Sequence, residues 1–229
     1  MERKFTFIDL FAGCGGLSEG FYMENFEALA HVEIDAIACK TLKTRMDYYG
    51  YSNSENAVLE ADITSPDMIA RIENAIKGAD VDVIIGGPPC QSFSSLGRAK
   101  DDNGMKDDPR NYLFESYVKI LNHFLPKFFV FENVTGLLSA KVNGKPILPS
   151  IMKALGTAYK VISDPAILVH NTADYGVPQH RERVLFIGQR RDLGEKMLYN
   201  FPKVTHSKDG KVLPVWKSIK IALEEASIT

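Results

Sequence analysis

Residues 81–97 read VDVIIGGPPCQSFSSLG, an apolar run that meets two glycines and two prolines and then a thiol. Pro88 and Pro89 fix their own φ and push the residue before each out of the helical region, so the turn is stiff. Cys90 is thereby presented at the end of a strand with its direction set by the backbone. A lone cysteine is more often an inert packed side chain, yet packing alone has no use for the lead Gly86-Gly87-Pro88-Pro89. As a nucleophile the thiol needs help, because at a reference pKa of about 8.5 little of it is thiolate at neutral pH. No histidine adjoins it. His31, His123, His170, His180 and His206 are distant in sequence, and of these His180 is the one to watch.

A second chemical signature is the loop in DLFAGCGGLSEGF, where Gly13, Gly15 and Gly16 permit positive φ and close backbone approach to a ligand. The helix that follows offers free N–H groups to a carboxylate or hydroxyl. The spacing fits neither the GxGxxG dinucleotide fingerprint nor a P-loop, which lowers a nicotinamide or nucleoside-triphosphate site in rank. Glu33, at the end of the next apolar run, is placed to accept from a ribose diol. Asp62 in EADITS could hold an adenine amino group, or cap a helix starting near Ser65. In this order the three features suit an adenosyl ligand.

Two further strand ends carry charge. KFFVFENVTGL closes in Glu132 and Asn133, in the same relation to its apolar run as Cys90, where an acid can have a raised pKa and donate a proton. TADYGVPQHRERVLFIGQRR spaces Gln179, Arg181 and Arg183 two apart at the entry to a strand, so both guanidinium groups share one face and can reach one site. Residues 92–111 are polar and too charged for a core, and are expected to form a lid over the thiol.

These ends need a scaffold that brings them to one rim. FTFIDLF, EALAHVEI, VDVIIGG, KFFVFENV, KVISDPAILV and RVLFIGQ read as strands, with helices predicted near 17–23, 36–48, 67–76, 112–124 and 149–155. Continuous apolar strands alternating with helices imply an α/β fold with a doubly wound, mostly parallel sheet, whose ligands bind beyond the carboxyl ends of the strands. At 229 residues, 45% hydrophobic and 24% charged, the chain suits one substantial core. Residues 1–190 are expected to form the binding and catalytic domain and 191–229 a C-terminal extension. The net charge of −2 gives no global pull toward polyphosphate, so contact with nucleic acid must come from a local patch or a partner. Three cysteines without paired spacing predict reduced thiols and no metal. No membrane-length apolar run and no secretory segment are present, which points to a cytoplasmic protein with no membrane partner.

Together and in this order, FAGCGGLSEGF, GGPPCQSFS, ENV and QHRER closely resemble the cytosine-5 DNA methyltransferase family, over residues 6–188. The resemblance implies a Rossmann-like fold of the S-adenosylmethionine-dependent type, with S-adenosylmethionine as methyl donor and S-adenosylhomocysteine as product. It implies that Phe11, Gly13, Cys14, Gly15, Gly16 and Leu17 line the donor site. Glu33 would bind the ribose, and Asp62 and Ile63 would contact the adenine, with Ile34, Gly86, Pro88 and Leu113 completing the site and Phe114 beside them. Cys90 would be the nucleophile that adds to C6 of a flipped cytosine, Glu132 would hold the base's amino edge, and Arg181 and Arg183 would flank its carbonyl oxygen.

Family members usually continue from QHRER into a target-recognition region. VLPVWKSIKIALEE resembles the stretch before that region, so the expected partners are double-stranded DNA and a second polypeptide supplying recognition, unless the chain is a truncation. An exposed apolar docking face should then exist. Transfer RNA as substrate, or a noncatalytic donor-binding module, are the competing readings. A cysteine hydrolase lacks both a nucleophile elbow and a nominated histidine.

Overall fold

The structure is a computed structural model and describes residues 3–51, 53–89, 112–142 and 144–227. Cys90 and the expected lid lie outside the described residues. Five strands pair in parallel: Thr6–Leu10 (β1), Glu27–Glu33 (β2), Val58–Glu60 (β3), Val83–Gly86 (β4) and Phe128–Asn133 (β5), in the order β3-β2-β1-β4-β5. Between them run Ser18–Met23 (α1), Ala36–Tyr48 (α2), Ser54–Ala57 (α3), Met68–Ile76 (α4) and Leu113–Phe124 (α5). A two-stranded ribbon, Lys141–Val142 (β6) with Lys145–Pro146 (β7), then precedes Leu148–Leu155 (α6).

The far side of the sheet runs the other way. Glu182–Arg190 (β10) lies antiparallel to β5 and also pairs antiparallel with Tyr159–Val161 (β8) and Val169–Asn171 (β9). The sheet is therefore mostly parallel, with an antiparallel flank that turns the start of β10, and with it Arg183, toward the rim formed by the ends of β4 and β5. The apolar run KVISDPAILV is not one strand. It is divided by Pro165–Leu168 (α7), where Asp164 Oδ1 accepts from Ala166 N at 2.9 Å and Pro165 opens the turn. A proline there supplies no ladder N–H and already has a helical φ, so a single helical turn replaces the strand.

Alternation sorts the side chains of the central strands onto two apolar faces. Ile8, Leu10, Ile84, Phe129, Phe131, Val184 and Phe186 pack with Ile72 of α4 and Leu121 of α5. Phe7, Val83 and Ile85 pack on the opposite face with Tyr22 of α1 and Leu42 and Met46 of α2. By the same alternation Asp9, Glu132, Arg183 and Leu185 fall on the second face, at the rim where the helical cover stops. None of the helices is long and apolar enough to cross a membrane, among the described residues.

Close approach within the sheet constrains one position strongly. Gly188 of β10 pairs with Phe129 of β5, and a Cβ on it would stand 2.0 Å from the Phe129 ring. Gly188→Ala is expected to lower stability by about 1–3 kcal/mol or more through overpacking. Urea denaturation at unchanged m-value would show it as a lower midpoint, and an unchanged midpoint would contradict the packing described.

Candidate active site

The chain leaves β1 through Phe11, whose φ of +62° is unusual for a bulky residue. The loop it opens is closed by bonds from Gly15 N to Ala12 O at 2.9 Å and from Ala12 N to Val32 O at 3.1 Å. Glu33 anchors the loop from the neighbouring strand end. Its Oε2 accepts from Gly13 N at 2.7 Å, while Oε1 accepts from Ile34 N and Asp35 N, each at 2.9 Å. A carboxylate has about four acceptor positions, so the group is oriented by the backbone and keeps capacity for a ligand hydroxyl. Asp62 closes an Asx turn, accepting from Thr64 N and Oγ1 at 2.8 Å each, and the next helix begins later, at Met68.

These strand ends enclose a cavity of about 340 Å³. Glu33 and Asp62 stand on its wall with Phe11, Ile34, Ile63 and Leu113, and so does Pro89, the last described residue before position 90. The lining is mostly apolar with two carboxylates, a chemistry that suits a flat heteroaromatic ring carrying a diol. Ile34, 68% exposed, is an apolar side chain held open toward such a ring.

Phe11 also borders a second, larger cavity of about 820 Å³. Gly13, Cys14, Gly16 and Leu17 form its near wall, and Glu132, Arg181 and Arg183 its far one. Glu132 Oε1 pairs with Arg183 Nε at 2.8 Å, both side chains about three-quarters buried. Gly87 makes room for this carboxylate, since a Cβ there would lie 2.9 Å from Glu132 Oε2. Next to Glu132, the Asn133 amide donates to Pro88 O at 3.1 Å, tying the Pro-Pro turn to the end of β5.

Three residues of the expected donor set, Gly15, Gly86 and Pro88, do not line either of these two cavities as formed by the described residues. Gly15 packs the loop on α2, where a Cβ would meet Leu42 at 2.7 Å, and Gly86 lies between strands, where a Cβ would meet Leu10 O at 2.5 Å. Pro88 is engaged through its carbonyl by Asn133. These three support the wall from behind. His180 is exposed and packs on Trp216, its ring centroid 5.4 Å away.

The cavity also has walls that sequence reading passes over: Asp9, and a group comprising His170, Thr172, Tyr175, Tyr199, Phe201 and Pro202. Asp9 is 1% exposed, and its Oδ2 accepts from the Ser18 hydroxyl at 2.5 Å. Burial, opposed by the Ser18 bond and reinforced by the nearby Glu33 charge, raises its pKa to about 7. The available signal was an acid in the middle of an otherwise apolar strand.

Between pH 4 and 7, roughly the interval from the unfolded value of 3.8 to the folded value of about 7, the folded chain binds more protons at Asp9 than the unfolded chain. Stability from this group is therefore fully present below pH 4 and declines as pH rises to 7. Asp9→Asn keeps an acceptor for Ser18 and removes the buried charge. The ligand-free variant is expected to be a few kcal/mol more stable than wild type at pH 8 and equal to it near pH 4. Denaturation midpoints across that range would check this, and parallel profiles would overturn it.

With this geometry, comparison with known proteins is informative. The family model described as C-5 cytosine-specific DNA methylase matches residues 5–225. Type II methyltransferase M.DdeI of Desulfomicrobium norvegicum is 40% identical over 205 residues, covering 88% of this chain and 45% of that protein. M.Bpa9945I of Bacillus paralicheniformis is 35% identical, with 56% of its length covered, so the chain spans about half the length of these two relatives. M.AquIA of Picosynechococcus sp. is 37% identical over 240 residues, covering 97% of this chain and 88% of that one. Among solved structures, one from E. coli described as a prophage-encoded DNA modification methyltransferase superposes with a TM-score of 0.70 at 28% identity, over 96% of this chain and 54% of its own. The Dnmt2 methyltransferase of S. pombe, at 17% identity and a TM-score of 0.56 over 86% of this chain and 52% of its own, shares the fold. The chain belongs to the C-5 cytosine-specific DNA methylase family.

Proposed function

We propose that this chain transfers the methyl group of S-adenosylmethionine to C5 of a cytosine flipped out of duplex DNA, through a transient bond between Cys90 and C6, and that a second polypeptide supplies target recognition. The observation that carries the reading is the pair of cavities meeting at Phe11, one lined by Glu33 and Asp62 and the other by Glu132, Arg181 and Arg183. Pro89, immediately before Cys90 in the sequence, borders the first.

The donor fits the residues present. Glu33 would hold the ribose hydroxyls, Asp62 and Ile63 the adenine edge, and Phe11 and Ile34 would supply apolar contact to the ring. S-adenosylmethionine supplies an electrophilic methyl on a sulfonium. Cytosine C5 is too electron-poor to take it directly, so thiolate addition at C6 is needed to place electron density on C5. Glu132 acts at the N3 and amino edge, where a proton offsets the charge of the adduct, and the ion pair with Arg183 fixes the direction of that carboxyl. C5 then takes the methyl as its bond to sulfur breaks. A base removes the C5 proton, and the electrons of that C–H bond restore the ring double bond as Cys90 leaves. Arg181 and Arg183 present planar donors to the base's carbonyl oxygen.

A separate recognition chain is supported by the surface of the extension. Ile219–Ala226 (α8) contains no buried residue, and Val212, Ile219 and Leu223 are 93%, 67% and 63% exposed. M.AquIA, similar to this chain over 88% of its own length, is a type II methyltransferase of comparable extent.

The test is transfer of labelled methyl from S-adenosylmethionine to unmethylated genomic DNA, with and without a candidate recognition polypeptide, and with transfer RNA as a parallel substrate. Wild type is expected to label DNA at C5 of cytosine. Cys90→Ser should abolish transfer while retaining donor binding, and Glu132→Gln should slow it by about 10²–10⁴. DNA containing 5-fluorocytosine should trap a covalent complex only when donor and Cys90 are both present. Labelling of transfer RNA alone would replace DNA as substrate. Donor binding without transfer to either nucleic acid in any combination would reduce the chain to a binding module.

A further inference from the structure

One wall of the larger cavity comes from no strand. It is built by residues 172–181, which connect β9 to β10, and by the coil after β10. The ends of the connection are tied together, with Thr172 N donating to Arg181 O at 3.0 Å and the Thr172 hydroxyl to Gln179 O at 2.6 Å. Its outer side is tied to the C-terminal segment. The Trp216 indole N–H donates to Asp174 Oδ1 at 2.8 Å, and the backbone N–H groups of Thr205 and His206 donate to Asp174 O at 2.9 and 3.0 Å. Gly176, at φ +83°, admits the His206 ring so closely that a Cβ would stand 2.8 Å from it.

Asp174 thus gathers four bonds from residues 205–216, the Thr205 hydroxyl also donating to its carbonyl at 3.4 Å, while its neighbour Tyr175 points the other way, to His170 Nδ1 at 2.9 Å and the cavity. Arg183 is aimed by its pair with Glu132. The Arg181 guanidinium makes no ion pair or hydrogen bond among the described residues, so its aim depends on the backbone that carries it. Neither Asp174 nor Trp216 borders the cavity.

We propose that Asp174 and Trp216 are positioning residues: their contact clamps the β9–β10 connection from outside and so holds Tyr175 and Arg181 at the wall of the reaction cavity. The proposal rests on the reading of that cavity as the place of methyl transfer. It gives the C-terminal segment a part in the chemistry, through the turn it grips.

The test compares Asp174→Ala, Asp174→Asn and Trp216→Phe in the full chain, with the recognition polypeptide present if transfer requires it. Asparagine keeps an acceptor oxygen for the indole. Asp174→Ala and Trp216→Phe are expected to lower kcat about tenfold or more, since small misplacement costs rate steeply, with donor affinity within about twofold of wild type. Asp174→Asn should stay within about threefold. Trp216 is the single tryptophan of the chain, so its emission reports on the clamp without catalysis and should shift to the red in Asp174→Ala but not in Asp174→Asn. A red-shifted Asp174→Ala with wild-type kcat would overturn the proposal, as would loss of donor affinity and of cooperative unfolding together with rate. If wild type transfers no methyl, the proposed function fails separately, and amide exchange over residues 172–181 decides. Faster exchange in Asp174→Ala than in Asp174→Asn upholds the clamp, and equal exchange removes it.

Discussion

The closeness of β4 and β5 at their carboxyl ends is the constraint on which the site depends. Gly87 leaves the space that the Glu132 carboxylate fills, and Asn133 reaches across to the Pro88 carbonyl. Any side chain at position 87 would push Glu132 off its line to Arg183. Pairing of Val83–Gly86 with Phe128–Asn133 therefore does more than extend a sheet: it sets the relation between the turn leading to the thiol and the acid beside it. An ion pair at a half-open rim is worth little in stability. Its value here lies in direction, because a carboxyl held by a guanidinium has few orientations left.

Stability and site chemistry pull apart at Asp9. A carboxyl in the middle of a strand, 1% exposed and beside a second acid, is an unfavourable choice for a core position. Ser18 offsets part of the cost. Asp82, 2% exposed, is held by Lys127 at 2.7 Å and by the Thr6 N–H at 3.0 Å, and those partners keep its carboxyl below the ordinary range despite burial. The contrast separates an acid that fastens strand starts from one that borders a cavity.

Much of this arrangement is legible in the sequence because the relevant turns are punctuated. Glycines 13, 15 and 16, the Gly-Gly-Pro-Pro lead and the alternating arginines all break an apolar run at a strand end, and alternation with helices places those ends on one rim. Glu33 and Asp62 are visible for the same reason. Asp9 is hidden inside its run, where pattern reading sees a strand and stops. Tyr199, Phe201 and Pro202 come from coil without periodicity, so nothing in their spacing announces that they return to the cavity. The division of KVISDPAILV is a misjudged proline: its apolar content outweighed a residue that cannot serve in a ladder. The antiparallel flank follows from the hairpin-like return of β9 into β10, a long-range relation that local pattern does not encode.

That reversed strand has a consequence for how the molecule comes together and comes apart. The smaller cavity draws mainly on residues 11–64, from consecutive units with short connections. The larger one is complete only when groups as far apart as Asp9 and Pro202 have met. Closing longer segments of chain costs more entropy and slows assembly. The larger cavity therefore rests on longer chain closures than the smaller one, and its wall is the more exposed to any loosening of the antiparallel flank.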